Sequence, residues 1–138
     1  MSQISELDNL CGPNKPLTKE APDTKEIEGL IKSGRLRLID SRNETLSIES
    51  RFDLAYNASH ALSFAALRKA GYRSSNRYVV FQLLQHTLGL GPEVWRVLSK
   101  CHDVRNRTEY GGEFGGSEGL LRDLIDAAAK VLTAIEIT

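Results

Sequence analysis

The sequence predicts an all-α protein, an antiparallel bundle of four or five main helices joined by short loops. Three observations carry this expectation. Apolar residues recur at steps of three and four through residues 48–70, 92–110 and the segment after Ser117. Glycines at 34, 71, 89 and 111–116 punctuate these runs at the spacing of helix ends. The one stretch that alternates like a strand, Arg35-Leu36-Arg37-Leu38, has no partner strand in the rest of the chain.

In chain order, residues 1–22 read as a polar, flexible tail, because Pro13, Pro16 and Pro22 break helices. The bundle is expected over residues 23–138. Asp23 offers an N-cap with Glu26 three positions on, a capping-box spacing, and the short helix behind it is expected to close at Gly34. Residues 35–46 fit either period; Leu36, Ile39, Asn43 and Leu46 favour helix. Ser47 then caps the longest segment, whose inward seam is Ile48, Phe52, Ala55, Ser59, Leu62 and Ala66. Ala58, Ala61, Ser63 and Ala65 surround that seam and permit close approach of another helix. A polar loop at 71–76 leads to a helix at about 76–88 carrying Val80, Phe81, Leu84 and Leu88. Pro92 opens the next helix, which runs to about 110. GGEFGG at 111–116 breaks it, and Ser117 caps a final helix with the seam Leu121, Leu124, Ala128, Val131 and Ile135.

The 138 residues suit one domain. With 18 basic and 18 acidic residues, the chain is not one that coats nucleic acid or an anionic membrane by bulk charge. No apolar run approaches a membrane span, and the N-terminal MSQISELDNLCGPNKP has no secretory pattern. Cys11 and Cys101 show neither metal nor disulfide spacing, which points to a reducing cytoplasm. Neutrality hides a division. Residues 72–107 hold six basic and two acidic side chains, and residues 108–138 hold two and six. Either the two segments pair their charges, or a basic pocket near the end of the 92–110 helix suits a phosphate-bearing ligand.

The candidate chemistry lies in CHDVRNRTEYGG, residues 101–112. On a helix His102, Asn106 and Tyr110 form one polar stripe, and Arg105 borders it while continuing the apolar line Val94, Leu98, Cys101. A guanidinium directed toward a core or interface needs partners. A bland reading has this cluster pinning neighbouring helices. His86 is expected at a helix C-terminus and His60 within the bundle; three scattered histidines make no metal site, and no cofactor motif is present. GGEFGG follows a helix rather than a strand and reads as a turn, not a phosphate cradle.

Arg105, Asn106 and Tyr110, as RNRTEY before Gly111-Gly112, resemble the motif of the HEPN (higher eukaryotes and prokaryotes nucleotide-binding) superfamily. The stretches SRFDLAYNASHAL (50–62) and GYRSSNRYVVFQLLQHTLGL (71–90) are similar to small bacterial members, and the resemblance spans residues 24–136. It implies a homodimer with two motif helices around a shared cleft. It implies either a metal-independent RNase toxin, in some cases paired with a nucleotidyltransferase-type antitoxin, or a non-catalytic module binding nucleotide, RNA or protein. The family's RNase motif ends in His where this chain has Tyr110. A tyrosine of ordinary pKa is roughly 0.1% ionised at neutral pH, a deficit of about 4 kcal/mol for a general base. Tyr110 therefore reads as a hydrogen-bond donor or stacking surface, and His102 is the alternative base beside Arg105.

Overall fold

The computed structural model describes residues 2–138, with side chains from Glu6 onward; Met1 lies outside. It is a helical bundle of four long helices, α2 (Thr24–Ser41), α3 (Ile48–Lys69), α6 (Pro92–Gly111) and α7 (Glu118–Glu136). Three short helices accompany them: α1 (Ser2–Asn9), α4 (Arg77–Gln82) and α5 (Leu84–Thr87). β1 (Thr18–Lys19) pairs antiparallel with β2 (Tyr72–Arg73). Among the described residues no helix is long and apolar enough to cross a membrane.

The long helices begin and end where their residues dictate. Asp23 accepts from the amides of Lys25 and Glu26, Ser47 from Ser50 and Ser117 from Leu120, so three N-termini satisfy otherwise orphaned donors. Pro92 opens α6, and Gly112 ends it in the left-handed conformation at φ +80°. Helix α3 is central and packs against α2, α4, α6 and α7. Its expected seam is buried from Phe52 onward, while Ile48 in the first turn is exposed. Around it Leu98, Leu124, Val131 and Ile135 complete the main core.

Gly34 does not end a helix. α2 runs through it to Ser41, taking in most of the ambiguous 35–46 stretch. A Cβ on Gly34 would lie 2.5 Å from Leu62 Cγ and 3.3 Å from the Ala58 carbonyl oxygen. The missing side chain lets α2 and α3 touch. Three contacts set their antiparallel register: Arg51 donates to the Ser41 carbonyl at 2.8 Å, Gly34 meets Leu62, and Arg68 meets Glu26 at 2.7 Å. Glu26 therefore does not close a capping box. The expected 76–88 helix also differs, breaking at Leu83 into α4 and α5.

The N-terminal stretch expected as a loose tail is folded onto the bundle. Leu7 and Leu17 are buried in a second cluster with Leu67, Tyr72, Val80 and Leu83. The proline-based reading missed this because the tie is tertiary. Arg68 is 0% exposed, and its guanidinium donates to the Glu26 carboxylate and to the carbonyls of Glu20 (3.0 Å), Ala21 (2.8 Å) and Tyr72 (3.1 Å). The Glu20 carboxylate lies 3.1 Å from its remaining edge. His86 lies in the last turn of α5, as expected, and pairs with Glu6 at 2.9 Å.

Two substitutions test this account in thermal melts. Gly to Ala inside a helix ordinarily stabilises by up to ~1 kcal/mol, and Gly29→Ala, with open space around its Cβ, should do so. Gly34→Ala should destabilise by about 1–2 kcal/mol, because overpacking against the buried Leu62 exceeds the propensity gain. Arg68→Met should cost about 3–5 kcal/mol by removing the buried donor to three carbonyls and to the Glu26 carboxylate, which keeps only Arg73 among the described residues.

Candidate functional site

Three elements converge on one polar cluster. α3 presents Asp53, Tyr56, Asn57 and His60, spaced to share a helix face. α6 presents His102, Arg105 and Asn106, and α4 presents Arg77, Tyr78 and Phe81. The helices pack together here, so the motif helix and the middle of α3 meet.

Tyr56 is the centre. Its side chain is fully buried, and its hydroxyl lies 2.7 Å from His102 Nδ1. Asn106 Nδ2 donates to His102 Nε2 at 3.2 Å. That bond requires a lone pair on Nε2, so the ring proton sits on Nδ1 and is given to the Tyr56 oxygen. Both nitrogens of His102 are thus engaged. Burial lowers the His102 pKa from its ordinary value; Asp103 opposes the shift, and Arg77 and Arg105 add to it. The imidazole is neutral at pH 7. Burial raises the Tyr56 pKa, opposed by the two arginines.

Two guanidiniums lie against the Tyr56 ring, Arg105 with Cζ 5.0 Å and Arg77 with Cζ 5.6 Å from the ring centroid. They differ in their partners. Arg105, 31% exposed at its side chain, has Asp53 at 3.5 Å and Glu109 at 3.7 Å. Its Nε is buried without a hydrogen bond. Arg77 is half-buried, makes a long 3.5 Å bond to the Asn57 amide oxygen and interacts with the Tyr56 side chain. Among the described residues no carboxylate lies within ion-pair distance of it.

Of the residues singled out by sequence, His102, Arg105 and Asn106 come together. Tyr110 does not join them: it is 88% exposed and makes no hydrogen bond or ring contact among the described residues. At the last turn of α6 its side chain has passed beyond the neighbouring helices. The phenol that meets the cluster is Tyr56. Sequence reasoning missed Tyr56, Arg77 and Asp53 as members. A signal existed in DLAYNASH, whose polar residues at 53, 57 and 60 recur at helical spacing, but the small residues beside them drew the reading toward packing. The expected pairing of basic 72–107 with acidic 108–138 is confined to Arg105 and Glu109 within α6; among the described residues no basic group of the first segment bridges to α7.

Beside the cluster lies a cleft of about 490 Å³. Arg105 and Asp53 line it, and Phe52 and Phe114, also in its lining, meet edge to face at 5.1 Å. Comparison with protein-family models, curated proteins and solved structures returns no match, so the functional reading rests on this geometry.

The site carries a pH signature. His60 stacks on Phe64 at 5.8 Å and meets Phe81 edge-on at 6.1 Å; burial pushes its pKa down to about 4. The unfolded chain takes up a proton near pH 6.5 that the native state refuses until about 4. Stability should therefore be full above pH 6.5 and fall by about 3 kcal/mol as pH drops to 4. Glu20 and Glu26, held below the ordinary carboxylate range by Arg73 and Arg68, extend the loss to lower pH as they protonate. Denaturant midpoints from pH 8 to 4 measure this, and His60→Phe should flatten the upper part of the decline.

Proposed function

We propose that the chain is a HEPN-like binding module whose Arg77–Arg105 cluster holds the phosphate of a nucleotide or RNA. The observation that carries this reading is Arg77: a half-buried guanidinium without a carboxylate, beside a second guanidinium on the same buried ring. Among the described residues Asp53 and Glu109 accompany Arg105 but no carboxylate accompanies Arg77, and a phosphate supplies the oxygens that guanidinium N–H groups match. The neutral His102 and the Asn106 amide add uncharged polar groups to the same wall.

The nuclease alternative has weaker support. A general base needs a free lone pair within reach of the proton it takes, and both nitrogens of His102 are occupied by Tyr56 and Asn106. The neighbouring cations disfavour the imidazolium that an acid step requires. The purely structural alternative accounts for Tyr56 and His102 and for the contacts of Arg77 with Tyr56 and Asn57, but gives Arg77 no carboxylate. In the proposed reading the protein is cytoplasmic and pairs with a second copy, as the resemblance implies, and the exposed Tyr110 is available to the neighbouring copy's cleft. A toxin–antitoxin or defence setting, with a nucleotidyltransferase-type partner, follows from the same resemblance.

Pyrophosphate should raise the melting temperature of the purified protein, and the rise should vanish in Arg77→Ala and weaken in Arg105→Ala. Tyr110→Ala should leave stability within about 0.5 kcal/mol while shifting the dimer toward monomer in analytical ultracentrifugation. Metal-free incubation with total RNA should give no cleavage. Cleavage lost in His102→Ala, with no pyrophosphate effect, would move the assignment to the nuclease.

A further inference from the structure

We propose that the cleft beside Arg105 receives the base of the ligand, and that it selects bases bearing an exocyclic amino group. This rests on the phosphate reading of the Arg77–Arg105 cluster and extends it to the other end of the molecule. The cleft's volume of about 490 Å³ falls within the ~300–1,000 Å³ of small-molecule sites. It adjoins the cluster directly, because Arg105 lines it while lying over the Tyr56 ring. A ligand whose phosphate sits on the guanidiniums therefore has this cleft as the nearest place for its remaining bulk.

The lining decides what kind of group fits. Phe114, half-buried and backed by the buried Phe52, supplies aromatic surface, which attracts a planar ring. Glu49, Asp53 and Arg105 all line the cleft, Asp53 lying 3.5 Å from Arg105. The carboxylates repel an anion and the guanidinium repels a cation, so a neutral, hydrogen-bonding ring is favoured over either. Carboxylates only accept hydrogen bonds. They match the amino groups of adenine, guanine and cytosine and have nothing to accept from the carbonyl that uracil carries at the corresponding ring position.

Phe114 also explains the glycines around it. It is the one apolar side chain in GGEFGG, and it packs on Phe52 with its ring over Gly116. A Cβ at Gly116 would fall within the space of that ring. Glycine on both sides leaves this loop able to seat a phenyl ring against the cleft and to shift it when a base enters.

Titration calorimetry of the full chain with CMP, UMP, AMP, ribose 5-phosphate and pyrophosphate tests the inference. AMP and CMP should bind about tenfold tighter than ribose 5-phosphate, and CMP about fivefold tighter than UMP. Glu49→Gln combined with Asp53→Asn should erase the CMP preference. Phe114→Leu, which keeps the loop's apolar anchor and removes its stacking face, should bring AMP down to ribose 5-phosphate and leave pyrophosphate unchanged. Equal binding of AMP, CMP and ribose 5-phosphate overturns the base pocket while pyrophosphate binding, lost in Arg77→Ala, upholds the phosphate site. If none of the five binds, both readings fall.

Discussion

A guanidinium is unfavourable in a protein interior unless its N–H groups all find acceptors, and Arg68 meets that condition because three separate pieces of chain converge on it. Glu26 comes from the start of α2, Glu20 and Ala21 from the arm before it, and Tyr72 from the exit of α3. Satisfying one side chain thus fixes the far end of the α2–α3 pair and pulls the N-terminal arm across Leu67 and Tyr72. It also directs the chain leaving α3 through β2 into α4. That last consequence reaches the site, since α4 carries Arg77 to the Tyr56 ring.

At the other end of the pair, the side chains of α3 divide between packing and polar chemistry. Small residues such as Ala58, together with Gly34 on α2, bring those two helices into contact. The face turned toward α4 and α6 is free to carry Asp53, Tyr56 and His60. Burying Tyr56 there creates an aromatic platform with its hydroxyl anchored on His102. The platform then orders two arginines from different helices. That convergence, which leaves Arg77 without a carboxylate while Arg105 has two, is invisible in a chain whose total charge is zero.

A catalytic imidazole must exchange protons, whereas His102 is bonded at both nitrogens and kept neutral by burial and nearby cations.

Periodicity and caps made the helices legible. Ser47, Pro92 and Ser117 start them as their residue types require, and Gly112 ends α6, because these are local preferences that any four or five neighbouring residues express. The His102–Arg105–Asn106 group was legible for the same reason, being one stretch of one helix. Gly34 was misread because a glycine that ends a helix and one that admits a neighbouring helix look alike until Leu62 is placed beside it. Residues 6–22 were misread because their anchor, Arg68, lies more than forty positions away along the chain. Tyr56 and Arg77 joined the site, and Tyr110 left it, by the packing of α3 and α4 on α6. The chain by itself determined which segments coil and where they stop, since those choices are made within a single turn. Only the folded arrangement decided which polar groups meet, since that depends on the register between helices distant in sequence.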